Sequence, residues 1–379
     1  MRIAMVTDSY FPTRDGVVTA VATLRKALED RGHTVFVIAP DPGEGFREVG
    51  VTYFPAKRFK KYPEYFIPLF RSNKIEVIRN LDVDVIHIYG ITFMALKALI
   101  ASRTLGVPSV ATYLTNVADT MQYYSPIPLP TGLQGRLAWI YMRNFLKRPH
   151  CVIALTKATL DEFRENRVRT KRTEVVPIGI DADRFRLGLD GSAIRKRHGL
   201  EGKRVAIHVG RVSYEKNTET VVRAAKRLPG DVVVMIVGRG PALDEMRELA
   251  EREGAGRVLF TGFVPDDELP LYYSASDAVV SASRFETQGL TIAEAMACGL
   301  PAACADGRAF PDIVEEGVNG YLFGDSPEEC AEAIVKCLDS KGGMSAAARA
   351  TAETYAMESV GRRLESVYES LCDSLKQRT

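Results

Sequence analysis

Short β-branched runs alternate with helical segments along the whole chain, and they do so in two series. The first series runs from RIAMVTD to CVIAL, and the second runs from RVAIHVGR to NGYLFG. Alternation of this kind is typical of βαβ units, in which helices cover both faces of a parallel sheet. The sequence therefore predicts an α/β protein with two doubly wound, Rossmann-like domains.

A turn-rich stretch, EVVPIGIDADRF, separates the two series and is predicted to link the domains. We expect the first domain to span residues 1–182 and the second to span residues 183–358. A chain of 379 residues is long enough for two or three domains with substantial cores.

The composition is that of an ordinary globular protein, since 46% of the residues are hydrophobic and 26% are charged. No apolar stretch approaches the roughly 18 residues that span a bilayer, and the N-terminus resembles a strand rather than a signal peptide. We therefore expect a cytoplasmic protein.

Residues 1–180 carry 25 Lys and Arg against 16 Asp and Glu, whereas the remainder carries 25 Lys and Arg against 32 Asp and Glu. This asymmetry favours different partners for the two halves.

Cysteine and histidine spacing gives no indication of a metal site. The six cysteines form no CxxC pair, and the five histidines are dispersed. We predict reduced, buried thiols and assign no metal ligands.

Two candidate binding segments follow the opening strands of the two series. Open parallel sheets bind ligands beyond the carboxyl ends of their strands. In the first series, Asp15 and Gly16 precede a helix, which is consistent with a ligand-binding loop or with an ordinary turn. In the second, Gly210 permits a turn, Arg211 supplies a planar fork of donors and Lys216 adds a point charge. The two cations suit a diphosphate, although they could also be solvated surface charges.

Two further segments belong to the second series. Gly238 and Gly240 precede Pro241 without the third glycine of a GxGxxG fingerprint, so they indicate either nucleotide contact or a tight turn. In SRFETQGLTIAEAMACGLP, a helix is predicted from about Gln288–Gly289 to Gly299. Its first amides, those of Gln288, Gly289 and Leu290, are predicted to bind phosphate or sugar oxygens.

Two carboxylates accompany this helix. Glu286 lies in the preceding loop, and Glu294 lies within the helix beside apolar neighbours. Because a carboxylate is seldom buried without a partner, a ribose diol that donates two hydrogen bonds would satisfy Glu294.

The spacing of Glu286 and Glu294 resembles the E-x7-E motif of family-4 retaining glycosyltransferases. The similarity extends in order along essentially the whole chain, through YFPTRDGV, VPIGIDADRF, GRVSYEKN, VGRGP, FVPDDELPLYY and EAMACGLP. It implies the glycosyltransferase B-type fold, in which two Rossmann-like domains face a cleft. It also implies that a C-terminal helix, residues 359–379, returns to the first domain.

The resemblance implies roles for individual residues. Arg211 and Lys216 would hold the donor diphosphate, Glu294 the ribose and Glu286 the transferred sugar. The donor would be a UDP- or GDP-sugar, with no further cofactor, and the first domain would bind the acceptor. Gly16 would contact the distal phosphate, and Val264 would lie near the base. The remaining donor-binding residues would be Gly210, Gly238, Gln288, Gly289 and Leu290. Asp15, His87 and Tyr113 would lie on the acceptor side.

The chain departs from the family pattern at two positions. Leu114 stands where many relatives have a histidine that reaches the donor sugar, and Tyr89 replaces the second histidine of an H-x-H pair that begins at His87. The family mechanism implies retention of anomeric configuration by front-face attack, without a metal ion. The chain has two Asp-x-Asp triplets. Triplet 82–84 precedes a strand and triplet 181–183 lies in the linker, so neither is assigned to a metal.

The acceptor is predicted from two basic segments of the first half. A basic-aromatic stretch, 57–67, and a basic helix, 136–148, indicate contact with the inner face of an anionic membrane, or a core helix with a cationic edge. The segment ETQGLT is similar to the corresponding segment of enzymes that glycosylate diacylglycerol, so a lipid hydroxyl is the first expectation for the acceptor.

Three alternatives to this function remain. They are transfer to a soluble phosphorylated polyol or sugar, a sugar-nucleotide epimerase and a non-catalytic nucleotide-sugar binder. The sequence indicates neither a nicotinamide dehydrogenase nor a nucleic-acid-binding protein.

Overall fold

The computed structural model describes residues 1–13, 16–43, 46–58, 66–68, 74–114, 131–254 and 256–377. The chain divides into two compact units, Met1–Gly179 together with Met357–Thr379, and Ile180–Ala356. The sequence prediction put the corresponding boundaries at 182/183 and 358/359.

The first unit is built on a seven-stranded parallel sheet with the order β3-β2-β1-β6-β7-β8-β9. Its central strands are buried on both faces, which explains why they appear in the sequence as continuous apolar runs. A separate antiparallel pair, β4 and β5, was not predicted. The strands are β1 (Arg2–Thr7), β2 (Thr34–Pro40), β3 (Val51–Phe54), β4 (Ala56–Arg58), β5 (Phe66–Pro68), β6 (Val85–Tyr89), β7 (Ser109–Tyr113), β8 (Cys151–Ala154) and β9 (Thr173–Val175).

The second unit is built on a six-stranded sheet with the order β12-β11-β10-β13-β14-β15, again parallel throughout. Buried side chains form one core cluster on each face of this sheet. The strands are β10 (Arg204–Val209), β11 (Val232–Val237), β12 (Val258–Gly262), β13 (Ala278–Ser281), β14 (Ala302–Ala305) and β15 (Gly320–Phe323).

Helices connect the strands of both sheets. Those of the first unit before the linker are α1 (Gly16–Glu29), α2 (Lys74–Asn80), α3 (Phe93–Leu105), α4 (Thr131–Leu146) and α5 (Lys157–Glu165). Those of the second unit are α6 (Ser192–His198), α7 (Thr218–Ala225), α8 (Leu243–Arg252), α9 (Leu269–Ser274), α10 (Leu290–Ala297), α11 (Phe310–Ile313) and α12 (Pro327–Glu353). The last helix, α13 (Met357–Lys376), belongs to the first unit.

Helix α13 packs on the first unit through an apolar stripe. Val360, Leu364 and Tyr368 are buried in the same core cluster as residues of β1 and α1. Glu365 pairs with Arg31, and its Oε1 lies 3.1 Å from Nε2 of His33. Buried apolar area dominates such an attachment, because partly exposed ion pairs contribute only about 0–1 kcal/mol each.

No helix within the described ranges combines the length and the apolar character that crossing a membrane requires.

Candidate active site

The predicted donor residues of the second unit meet at the carboxyl edge of its sheet. Strands β10 and β13 are parallel neighbours, and the strand order changes direction between them. Such a switch point leaves a crevice between the two following loops, where α/β proteins bind ligands. Arg211 and Lys216 follow β10, and Glu286 follows β13.

Lys216 and Glu286 form an ion pair across this edge. Lys216 ends a 3₁₀ turn, Tyr214–Lys216, and its Nζ donates to Oε1 of Glu286. The side chains are 30% and 19% exposed, so both remain within reach of a ligand. The pair therefore brings together two residues that are 70 positions apart in the sequence.

Arg211 is exposed in the loop that leads from β10 to Lys216. Its guanidinium has no hydrogen bond or ion pair with any residue in the described ranges. Five N–H donors in a fixed plane are thus directed to solvent at the end of β10. This arrangement can bind an anion bidentately.

The glycines of the neighbouring loops are required by close backbone contacts. A Cβ on Gly238, at φ +140°, would lie 1.8 Å from the carbonyl oxygen of Gly210, and one on Gly240 would lie 2.1 Å from that of Val212. Val212 also accepts the amide of Ala242 at 3.2 Å. The loops after β10 and β11 therefore pack backbone to backbone, and this close packing explains why positions 238 and 240 are glycine.

Helix α10 begins slightly later than predicted. Gly289 is its N-cap in the left-handed region, at φ 81°, and Leu290 is its first residue. A Cβ on Gly289 would lie 2.9 Å from Cε1 of Phe310, so both backbone and space demand glycine there. Gln288 is buried. The first-turn amides of a helix have no partner within it, and its dipole favours an anion at this end.

Glu294 lies in the second turn of α10 and accepts a hydrogen bond from the hydroxyl of Tyr273 at 3.1 Å. Burial raises its pKa to about 7, against the smaller opposing effects of the Tyr273 bond and the Arg184 charge. A carboxylate with one protein donor retains lone pairs for a diol. Tyr273 was not singled out in the sequence, because nothing local links it to a glutamate 21 positions away.

Two residues after β12 differ in exposure. The side chain of Val264 is 8% exposed and packs in the core, whereas Phe263 is 56% exposed. Val264 can therefore offer a ligand only its backbone, while the Phe263 ring is available for stacking.

His208, on β10, is a buried residue of this edge that the sequence did not indicate. Its Nδ1 lies 3.1 Å from the carbonyl oxygen of Val280, which accepts from the Nδ1–H tautomer. Burial lowers its pKa, and the charge of Lys216 acts in the same direction. A neutral imidazole therefore joins the two strands beneath the Lys216–Glu286 pair.

In the first unit, the predicted acceptor residues are placed differently. Gly16 begins α1 at the carboxyl end of β1, whereas Asp15 is outside the described residues. Tyr113 is 3% exposed and meets the ring of Phe163 edge-on at 5.1 Å. Leu114 is partly buried against the core, and positions 115–130 are not described.

His87 lies in the core rather than on a surface that an acceptor could reach. Its Nδ1 is 2.5 Å from the hydroxyl of Tyr368 and 2.8 Å from that of Tyr89, and its Nε2 is 2.6 Å from Oγ1 of Thr112. Burial lowers its pKa to about 3, so the ring is neutral. Both ring nitrogens are thus occupied by protein side chains, and the contact with Tyr368 ties α13 to the sheet.

Helix α4 presents a buried face and an exposed apolar stripe. Ala138 and Met142 pack in the core, whereas Leu137, Ile140 and Tyr141 are 45%, 48% and 37% exposed. The hydroxyl of Tyr141 donates to the carbonyl oxygen of Ile91. The buried face fits the predicted core helix, and contact of the exposed stripe with a membrane surface stays a prediction. Of the other basic segment, 57–67, residues 59–65 are outside the described ranges.

Two family models match the chain in succession. The model of Glycosyltransferase Family 4 matches residues 14–184, and that of Glycosyl transferases group 1 matches residues 190–356. The alpha-monoglucosyldiacylglycerol synthase of Acholeplasma laidlawii is 29% identical, over 98% of this chain and 98% of the relative. The GDP-mannose-dependent alpha-mannosyltransferase of Corynebacterium glutamicum is also 29% identical, over 85% of this chain and 76% of the relative.

Solved structures show the same fold. Anabaena Alr3699/HepE, crystallised with UDP and glucose, superposes with a TM-score of 0.77 at 22% identity, covering 98% of this chain and 100% of that one. The predicted fold class, two doubly wound α/β domains of the glycosyltransferase B type, is confirmed. The two successive family models and the relatives that span nearly its full length show that the chain is a member of glycosyltransferase family 4.

Proposed function

We propose that this glycosyltransferase transfers a hexosyl group, with retention and without a metal ion, from a nucleoside diphosphate sugar to a hydroxyl of a membrane lipid. The donor binds the second domain, 183–358, and the acceptor binds the first, 1–182 with 359–379. The observation that carries the proposal is the meeting of Arg211, the Lys216–Glu286 pair and the start of α10 at one sheet edge.

The chemistry follows from where negative charge develops. When the bond between the anomeric carbon and the diphosphate breaks, the departing phosphate gains charge. Arg211, Lys216 and the positive end of the α10 dipole stabilise that charge. The acceptor oxygen bonds to the anomeric carbon on the same face, and its proton passes to a phosphate oxygen. Each well-placed donor contributes about 2.7–4 kcal/mol to the transition state.

Donor binding exchanges the partner of Lys216. In the structure its ammonium pairs with Glu286. A phosphate oxygen competes for the same donors, and the freed Glu286 carboxylate then accepts hydrogen bonds from sugar hydroxyls. The amides of Gln288–Leu290 add backbone donors, and Gly210, which has open space where a Cβ would lie, allows the ligand to approach its loop.

The nucleoside half is held by two features. Glu294 accepts from the ribose hydroxyls, since Tyr273 occupies only part of its capacity. The backbone at Val264 contacts the base, beside the exposed ring of Phe263. Related proteins suggest two candidate donors, since one solved neighbour holds UDP-glucose and the mannosyltransferases are named as GDP-mannose-dependent.

A lipid acceptor is supported by relatives and by α4. Two relatives are named as alpha-monoglucosyldiacylglycerol synthases. The exposed stripe Leu137, Ile140 and Tyr141 lies next to Arg136 and Arg143, a combination that suits the interface of an anionic bilayer. We therefore place the enzyme peripherally on a membrane surface.

The test is a product assay with the purified chain. UDP-glucose or GDP-mannose is supplied with diacylglycerol in vesicles or with soluble phosphorylated polyols and sugars. We expect release of nucleoside diphosphate and a glycolipid whose mass and anomeric NMR signals show retention. Transfer to a soluble acceptor alone would replace the lipid assignment. Epimerised donor without transfer, or no reaction with either donor, would contradict the proposed function.

A further inference from the structure

A surface groove of the first unit is lined by three arginines that lack an acidic partner. The groove has a volume of about 380 Å³ and lies between α4 and the end of α5. Its lining includes Arg136, Trp139 and Arg143 of α4, Glu165 of α5 and Arg167 just beyond α5. Within the described part of the chain, none of the three guanidinium groups makes a hydrogen bond or an ion pair, with Glu165 or with any other residue. Like charges that converge on one groove repel each other, so the arrangement favours an anion between them.

The groove adjoins the exposed apolar stripe of α4. Arg136, Trp139 and Arg143 follow one another at spacings of three and four, so they share one side of the helix. Each residue of the stripe follows one of these positions by one or two, and each step turns the helix by about 100°. The cationic side and the apolar stripe are therefore neighbours around the same helix.

Arg167 is placed at the groove by a helix-end motif in which glycine is usual. Its amide donates to the carbonyl oxygen of Arg164 at 3.0 Å, and the amide of Val168 donates to that of Phe163 at 2.8 Å. This is the Schellman pattern, whose residue after the C-cap adopts the left-handed conformation, and Arg167 has φ 53°. Residues with a Cβ seldom adopt this conformation, and those that do concentrate at functional sites. The turn itself does not call for an arginine, so the guanidinium is the reason to look for a ligand.

We propose that this groove binds the phosphate of an anionic phospholipid headgroup, with Arg136, Arg143 and Arg167 as its cations. Guanidinium forks match phosphate oxygens bidentately, and three of them leave an excess of positive charge over the carboxylate of Glu165. A lipid is favoured over a soluble phosphate because the groove adjoins the apolar stripe and because tryptophan, which lines it, is typical of membrane interfaces.

The inference goes beyond the proposed function, because neither the sugar donor nor the acceptor hydroxyl takes part in it. It gives the proposed membrane placement a defined lipid contact. The choice of a lipid depends on that placement, whereas the existence of an anion site in the groove does not.

The single tryptophan of the chain reports occupation of the groove directly. The purified full chain is titrated with dihexanoylphosphatidylglycerol below its micelle concentration, so that no charged bilayer surface contributes to the attraction. We expect a saturable change in the emission of Trp139 and the same Kd from calorimetry. Inorganic phosphate and zwitterionic dihexanoylphosphatidylcholine should each bind at least about tenfold more weakly.

Two variants of one loop separate a site from general surface charge. Arg167→Asn removes a groove cation, and asparagine tolerates the left-handed conformation, so Tm should not fall. Arg169→Asn is the matched control, because Arg169 is exposed two positions later and lies outside the groove lining. We expect the Kd for the monomeric phosphatidylglycerol to rise at least about tenfold in Arg167→Asn and to stay within about twofold in Arg169→Asn.

Three results would overturn the inference. Equal weakening in the two variants would reduce the effect to overall charge. Inorganic phosphate that binds as tightly as the lipid would assign the groove to a soluble anion. The third is the absence of saturable lipid binding by both fluorescence and calorimetry. Glycosyl transfer is not measured in these titrations, so a failure of the proposed function would not alter their outcome.

Discussion

Lys216 is the residue whose removal tests the charge argument most directly. Lys216→Ala removes a phosphate cation and leaves the Glu286 carboxylate without its partner. We expect kcat to fall by about 10²–10³, the range observed when one transition-state donor is lost. Lys226→Ala is the control, because Lys226 is an exposed cation at the far end of α7 that pairs with Glu253. Equal rates in the two variants, with unchanged circular dichroism, would remove Lys216 from the mechanism.

Glu294 gives a prediction about pH. Its pKa of about 7 means that the carboxylate is largely protonated at pH 6, and only the ionised form accepts from both ribose hydroxyls. We therefore expect affinity for the nucleoside diphosphate to rise as the pH increases through 7. Calorimetry between about pH 5.5 and 8.5 should show this rise in wild type but not in Glu294→Gln. Titration of the ligand phosphate affects wild type and Glu294→Gln equally. Parallel plots of affinity against pH for the two proteins would therefore contradict the assignment of Glu294 to the ribose.

The same carboxyl also affects stability, with the opposite sign. Its pKa in the folded chain lies above the ordinary value of 4.5, so the unfolded chain loses this proton first as the pH rises. The contribution of Glu294 to the free energy of unfolding therefore decreases between about pH 4.5 and 7. Ligand binding and folding thus place opposing demands on this residue.

The residues also mark the limit of sequence-based prediction. Arg211, Lys216 and Glu286 were identifiable because they follow strands whose carboxyl ends meet at one edge. The burial of His87 could not be predicted, because its position in a strand does not reveal that Tyr89, Thr112 and Tyr368 surround its ring. The bond from Tyr273 to Glu294 depends on two helices that are close only in the folded chain.

At the scale of elements, strands were predicted more accurately than helix starts. A strand buried on both faces leaves an apolar run that is visible in the sequence, as in β10 and β11. Short partly exposed strands such as β3 lack this signal. Helix α10 begins at Leu290 rather than at the predicted Gln288–Gly289, because Gly289 adopts a left-handed conformation. The ring of Phe310, which leaves no room for a Cβ on Gly289, is distant in sequence.

Helix α4 allows the membrane assignment to be tested as a property of one element. Its stripe of Leu137, Ile140 and Tyr141 is exposed, so replacing the first two by Ser should not disturb the core. We expect Leu137→Ser/Ile140→Ser to sediment less with anionic vesicles than wild type does. The matched pair Leu137→Met/Ile140→Met should sediment like wild type. Equal sedimentation of the Ser and wild-type proteins would exclude this stripe as the membrane contact.

At the scale of the whole molecule, the fold follows from repetition of one unit. Two series of alternating strands and helices each give a parallel sheet with a core on both faces, and the family models divide near the same linker. The attachment of α13 to the first unit is different, since it depends on a buried stripe and on Tyr368 reaching His87. Amphipathic periodicity could predict the helix, but not the surface that it covers.

The proposed charge stabilisation makes a final prediction about metal ions. If Arg211, Lys216 and the α10 dipole replace a divalent cation at the leaving diphosphate, the purified enzyme should keep its full rate in excess EDTA. Added Mg²⁺ or Mn²⁺ should change kcat by less than about twofold, because ion binding to the free nucleotide affects mainly KM. The same measurement on Lys216→Ala is informative. A divalent cation that restores the rate of this variant would take the place of the lost ammonium group beside the diphosphate. Loss of wild-type activity in EDTA, recovered with Mg²⁺, would instead require a metal in the mechanism.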